Sequence, residues 1–486
     1  MADICVIYDS KDKALTRKLV SHLRNQWSVW WAEDDIPQGD WEQQDRDQIS
    51  QANAVVPVVS IHTEKNDIFR DELAWAKKCD RLIFPFFVGK AELPFGFGGL
   101  NRTDAFDWNG AVNHPGFQQL IKKIDAKIGC HTETPKRLAY LDLSRIKLQL
   151  PCFVFSLSSF ESQISPKDGI RLFQLLEPAA GLISSYDVWK SNFKRDNTHK
   201  KDRISFSIIK RLRQSKCALF LDSGNYEATH KDDHYSKTKN PDGWHRRLFR
   251  EMASKISPDI AFAFDKWPTT GGIDEITNRI VRNFRADERA IRELSFPLCP
   301  IVHLPEKHES IAVAEYASKI VTKVVEKLDP IMVAIPEREL GDGLIERVRT
   351  VRAIRSALNG LGKYYPLHLL GTGNPITMIA LAAAGADSFD GLEWCRTVAD
   401  YDDGTLYHFQ HFDCFRKEYS SRLQLNIRKI IENEEATYTA QVASYNLDFF
   451  TDWTRTIQNM IHRGNVEHLL KQIPNIGTNI FKEITQ

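Results

Sequence analysis

At 486 residues the chain is too long for one ordinary core, and two or three domains are expected. Its 65 basic and 64 acidic side chains leave a formal charge of +1, which excludes recruitment of nucleic acid or membrane by a global field. A hydrophobic fraction of 42% with 27% charged residues is the balance of soluble globular protein. The eight cysteines form no CxxC pair, and several lie in apolar runs such as KCALFL and PLCPIV, as expected of reduced, buried thiols. The start, MADICVIYDSKDK, lacks the basic residues and apolar core of a signal peptide. No apolar run approaches the roughly 20 residues that span a bilayer. A cytoplasmic protein with no membrane partner is expected.

Taken in order, Ile4 to Tyr8 (ICVIY) reads as a central parallel strand. Asp9 to Asp12 supplies turn residues, and Leu15, Leu19 and Leu23 mark a helix over Lys13 to Leu23. Trp27 to Trp31 reads as a second strand, followed by a polar loop, AEDDIPQGDWE, punctuated by Pro37 and Gly39. A helix over Trp41 to Ala52 leads to a buried strand, Ala54 to Ser60. Next, Phe69, Leu73 and Ala76 mark one face of a helix. Glu72 and Trp75 stand three apart on a neighbouring stripe of that helix, just beyond a strand's carboxyl end. A carboxylate beside an indole suits a ribose diol and a flat base. Arg81 to Val88 (RLIFPFFV) reads as another strand and Phe117 to Ile128 as a closing helix, so strand and helix alternate as in a parallel sheet covered on both faces.

Four segments in register, ICVIYDSKD, EDDIPQGDW, AVVPVVS and RDELAWA, resemble a TIR domain, over residues 3 to 129. The resemblance implies a flavodoxin-like parallel-sheet fold and one of two roles, an adaptor that only assembles or an enzyme that cleaves the N-glycosidic bond of NAD+. Glu72 occupies the position of the glutamate that the enzymes carry. Loss of nicotinamide leaves an oxocarbenium-like ribosyl cation, which a nearby carboxylate stabilises without any strong base. Tyr8, Trp31 and Trp75 are the candidate NAD+ contacts, with Trp30 an alternative to Trp31. By the same resemblance the loop from Glu33 to Trp41 reaches a neighbouring copy, so self-association through TIR domains completes the site. NAD+ is then the substrate; no cofactor is required and zinc is not expected.

Domain boundaries are expected at 1–130 and 138–486, joined by a short linker over 131–137 that contains Pro135. In the second domain, apolar strands lead repeatedly into acidic turns. Ala218–Leu221 precedes Asp222, Asp259–Phe264 precedes Asp265, and Ser388–Phe389 precedes Asp390; Cys299–Leu304, Ile331–Ile335 and Pro366–Leu370 are further strands. Functional groups at successive strand ends point to a (β/α)8 TIM barrel. LDSGNYE, AFDKWP, LHLLGTGNP and GADSFDGLEWCR resemble segments of tRNA-guanine transglycosylases, the base-exchange barrels. That resemblance implies Asp390 as nucleophile, Asp222 as second catalytic acid, and Asp265, Gly371 and Gly373 as a nucleobase pocket.

Departures accompany the matches. The family's Gln-Gly-Gly reads His303-Leu304-Pro305, its second motif glycine is Asn225, and its His-Asn-Leu reads Tyr445-Asn446-Leu447. Its zinc-binding cysteine cluster is missing after Asp390. His408, His411 and Cys414 share three-residue spacing on an expected helix but lack a fourth ligand. Lys194–Arg203 and His230–Lys239 read as charged loops, and Leu423–Ile431 and Phe450–Ile461 as amphipathic helices. A TIR domain fused to a ligand-reading domain resembles prokaryotic antiviral systems that deplete NAD+. The expected trigger is a nucleobase, a nucleotide or a modified nucleic acid. The alternatives are base exchange on tRNA or DNA with the TIR domain as an assembly module, and a TIR enzyme making a cyclic ADP-ribose signal.

Overall fold

The computed structural model describes residues 2–23, 26–32, 41–111, 114–128, 135–160, 162–193, 203–229, 243–265, 270–291, 296–305, 312–416 and 422–466, with isolated positions up to 483. The chain divides into two units, Met1–Lys136 and Arg137–Gln486.

The first unit runs β1 (Ile4–Ile7), α1 (Lys13–Leu23), β2 (Val29–Trp31), α2 (Trp41–Gln51), β3 (Ala54–Val59), α3 (Asp67–Lys78), β4 (Leu82–Ile83), β5 (Phe86–Phe87), β6 (Thr103–Asp104) and α4 (Pro115–Ile128). Its sheet is parallel in the order β2-β1-β3-β5-β6, with β4 also on β3. β1 and β3 are buried along their whole length because helices cover both faces, which is why they are continuous apolar runs. Ile4, Val6 and Val56 pack with Leu19 and Leu120 on one face, and Cys5, Val55 and Val59 with Phe69 and Leu73 on the other.

The single strand expected over Arg81–Val88 is two, because Pro85 has no N–H to donate to the ladder; β4 pairs with Ala54–Val55 and β5 with Val58–Val59. α3 begins at a side-chain cap: Asn66 Oδ1 accepts from Phe69 N at 3.0 Å, with Asp67 in the first turn and Lys77 and Lys78 in the last. Residues 33–40 of the expected loop lie outside the described residues, as do residues 131–134 of the expected linker.

The second unit opens with a hairpin, β7 (Tyr140–Asp142) and β8 (Lys147–Gln149). Eight strands follow with their helices: β9 (Cys152–Leu157), α5 (Pro166–Leu176), β10 (Ala180–Ser184), α6 (Ser185–Phe193), α7 (Phe206–Leu212), β11 (Ala218–Asp222), α8 (Asn225–Thr229), α9 (Arg246–Ile256), β12 (Ile260–Phe262), α10 (Ile273–Ile291), β13 (Leu298–Cys299), α11 (Val313–Leu328), β14 (Val333–Pro336), α12 (Leu344–Asn359), β15 (Leu367–Leu370), α13 (Pro375–Ala384) and β16 (Ser388–Gly391). The chain ends through α14 (Glu393–Arg396), β17 (Thr397–Ala399), β18 (Leu406–His408), α15 (Phe412–Phe415), α16 (Leu425–Glu432) and α17 (Tyr438–His462).

The parallel order β13-β12-β11-β10-β9-β16-β15-β14 brings the two end strands together. Ile301 bridges Ala334 there, with Val302 N to Ala334 O at 2.8 Å and Ala334 N to Pro300 O at 2.9 Å, so the sheet is a nearly closed barrel. Hairpin residues Leu141 and Leu148 share a core with Cys152, Ala180, Ala218 and Ile260, the residues that begin four strands, and so plug the amino-terminal end. α17 packs on β9 through stacked Phe450 and Phe153, with centroids 4.8 Å apart, and completes the outer helical layer.

β9 and β10 are not among the strands expected from sequence, although CFVFSL is a continuous apolar run. The helix expected to carry His408, His411 and Cys414 is corrected: His408 ends β18, where pairing with Thr397 extends it, His411 sits in a 3-10 turn, and Cys414 lies in α15. Of the charged loops expected over Lys194–Arg203 and His230–Lys239, all but Arg203 lie outside the described residues. Among the described residues no helix is long and apolar enough to cross a membrane.

Candidate functional site

In the first unit, Glu72 projects from α3 into the seam with α2, largely buried, and its carboxyl group meets that of Asp45 in hydrogen-bond contact. Asp45 is buried, and its Oδ1 has no partner among the described residues. Burial first, then the charge of Asp45, pushes Glu72 up to about 8; burial also raises Asp45. Two carboxyl groups this close ionise in separate steps, so the pair retains a proton at neutral pH. Cys5, on β1, is pushed up by burial and by both acids.

The candidate aromatic residues do not gather around Glu72. Trp75 donates Nε1 to Ser50 Oγ at 2.9 Å and to Arg46 O at 3.2 Å, and its ring lies 5.3 Å from the Arg46 guanidinium and 4.8 Å from the Lys78 ammonium. It is clamped to α2. Trp31 is buried on the opposite sheet face, 5.3 Å from Tyr8, whose hydroxyl donates to Ala32 O. Trp30, one residue earlier, borders the core that contains Cys5, because successive strand residues alternate faces.

In the second unit, the carboxyl ends of the strands open onto a cavity of about 320 Å³ lined by Asp222, Asp265, Asp390 and Gly371 among others. Asp390 is buried and fully engaged: Ser156 Oγ donates to Oδ2 at 2.7 Å, Gly371 N donates to Oδ1 at 3.0 Å, and His368 Nε2 lies 3.2 Å from Oδ1. Gly371 has φ +76°, a left-handed conformation that a side chain would strain, and this aims its N–H at Asp390. Asp222 accepts from Gly224 N at 2.7 Å, and burial, then the charge of Asp265, raises its pKa.

Asp265 accepts from Ser223 Oγ at 2.7 Å and lies 3.0 Å from His303 Nε2; His303 Nδ1 in turn lies 2.8 Å from Glu339, whose other oxygen accepts from Leu304 N at 2.7 Å. Burial opposes charge on His303, but the hydrogen bonds and charges of Asp265 and Glu339 outweigh it and raise it to about 9. Burial likewise opposes the ionised Asp265, yet His303 holds its pKa below the usual carboxylate value. Leu304 N is spent on Glu339 rather than on the cavity.

This relay has a consequence for stability. Folded His303 titrates above its ordinary 6.5, so its contribution is complete below pH 6.5 and is lost as pH rises through about 9. Denaturant midpoints of the full chain are expected to fall across that window, and His303→Gln is expected to flatten the fall. An unchanged slope in the variant would remove the relay as its source.

Residues 4–121 match the family model for the TIR domain. The first unit contains a TIR domain. No curated protein matches the chain. Within the TIR domain, Asp45 is the residue that sequence reasoning missed. Its signal was present: Asp45, Ile49 and Ala52 recur at i, i+4 and i+7, which puts one acid on an otherwise apolar stripe. In the barrel, Glu339 and Glu393 were missed, and Gly373 lies against the Glu393 carboxyl group rather than beside open space. Among the described residues no group of three or more His, Cys, Asp or Glu side chains is arranged to hold a metal ion.

Proposed function

We propose that the protein is an NAD+ nucleosidase whose TIR domain releases nicotinamide and whose barrel binds a nucleobase-like ligand that controls it. The observation carrying this reading is the pairing of partly buried Glu72 with buried Asp45, within a segment that matches the TIR domain. As the C1′–N bond breaks, its electrons leave with nicotinamide, and the ribosyl cation forms beside the negative charge of the pair. Water then adds at C1′ and loses a proton, giving ADP-ribose. Self-association of TIR domains brings the active state together, and the ligand shifts the population toward it. Destruction of NAD+ in the cytoplasm of an infected cell is the proposed antiviral outcome.

The test is incubation of purified full-length protein with NAD+, with products resolved by chromatography. Nicotinamide with ADP-ribose supports hydrolysis, cyclic ADP-ribose identifies the signalling variant, and intact NAD+ even under crowding overturns the reading. Because free Glu72 is raised to about 8, kcat/KM is expected to climb with pH toward that value. Asp45→Asn removes the neighbouring charge and should move the rise down by about one pH unit or more. Superimposable profiles would show that the pair does not act in cleavage.

A second reading is favoured by the convergence of Asp222, Asp265 and Asp390 on one cavity. Asp390 would attack the anomeric carbon of a nucleoside in RNA or DNA as its C1′–N bond breaks and the resident base leaves with those electrons and a proton from Asp222. The incoming base, giving a proton back to Asp222, would then displace Asp390 from C1′. Incorporation of labelled guanine into tRNA or DNA, lost in Asp390→Ala, tests it.

A further inference from the structure

Glu393 opens α14, three residues beyond Asp390, and lines the barrel cavity. Its carboxyl group rests on two glycines. A Cβ placed on Gly373 would lie 1.7 Å from Glu393 Oε2, and one on Gly391 would lie 2.4 Å from it. No other residue type leaves that seat open. Oε2 is sealed from solvent and has no hydrogen-bond partner among the described residues. A buried polar oxygen without a partner is costly, and native proteins rarely keep one without a use.

The Glu393 backbone N–H bonds the carboxyl group, yet among the described residues Oε2 is left without a donor. Asp390 and Glu337 add negative charge nearby, Arg396 on the same short helix offsets part of it, and Glu337 is paired with Arg347. Asp265, across the cavity, has both oxygens engaged by Ser223 and His303. Two carboxyl groups of the cavity lining keep an oxygen without a partner among the described residues, Glu227 and Glu393, and Glu393 is the one that feels the charge of Asp390.

We propose that Glu393 is a specificity-determining residue of the barrel, whose carboxyl group turns from the Gly373–Gly391 seat into the cavity to accept an N–H donor of the bound nucleobase. This rests on the nucleobase reading of the barrel. A base bearing an exocyclic amino group satisfies the oxygen; one lacking it leaves the oxygen unpaired, and sites built this way discriminate strongly.

The probes are guanine and hypoxanthine, which differ by one amino group, titrated calorimetrically into the full chain and its Glu393→Gln variant. Wild type is expected to bind guanine at least about tenfold tighter. In Glu393→Gln the two affinities should fall within about threefold, with hypoxanthine binding unchanged and the ligand-free melting temperature at or above that of wild type. Equal affinities in wild type, or full discrimination kept by the variant, would overturn the role of Glu393 while leaving the nucleobase reading intact. A lower melting temperature with unaltered affinities would assign Glu393 to structure instead. Failure of wild type to bind either base would remove the nucleobase reading and this inference with it.

Discussion

Glu72→Gln is expected to lower NAD+ cleavage by about two to three orders of magnitude, the cost of removing one preorganised electrostatic group from a buried site. Glutamine keeps the size and packing of the side chain but cannot carry the charge that faces the ribosyl cation. A fold defect is separable from this loss by the sign of the linkage. Glu72 titrates near 8 when folded and near 4.5 otherwise, so the folded chain binds the extra proton between those values. Its contribution is complete below about pH 4.5 and is lost as pH rises toward 8. The variant should therefore be at least as stable as wild type at about pH 8, with activity gone. Retained cleavage would exclude Glu72 as the charge; lost cleavage together with a large drop in stability would show misfolding instead.

Asp387→Ala is expected to destabilise the barrel by about 3–5 kcal/mol, the range for breaking a buried ion pair from one side. Asp387 is fully buried and accepts from Arg355 Nη2 at 2.7 Å, Arg137 Nε at 2.9 Å, Tyr364 Oη at 2.7 Å and Leu367 N at 2.9 Å. Alanine would leave the buried Arg355 guanidinium without its counter-charge, although Gly385 O and Tyr365 O still accept from it. Arg145 makes a matching clasp on Asp259, so the two arginines that flank β7 tie the plugging hairpin to the barrel. Denaturant unfolding followed by far-UV circular dichroism measures the loss. A change below about 1 kcal/mol would mean that water replaces the carboxylate, as at exposed pairs.

Much of the candidate site was legible because it is local. Strands buried on both faces are continuous apolar runs, so Ile4–Ile7 and Ala54–Val59 declare themselves, and Asp222 and Asp390 fall at strand ends that the next turn marks. Glu72 follows from its place on the helix after such a strand. The same locality misled at Trp31, where one step along β2 exchanges one sheet face for the other and sets the indole apart from Glu72.

Which acids stand at strand ends and which helix carries Glu72 can be read from the residue order alone, because those facts depend on period and position within a few residues. What each acid meets is set by packing between distant segments. Asp45 reaches Glu72 across two packed helices, His303 joins Asp265 and Glu339 from 38 and 36 residues away, and Glu393 finds its seat on Gly373. Such pairings depend on how the elements pack and on the curvature that brings β13 back to β14, and neither is written in the periodicity of any one segment.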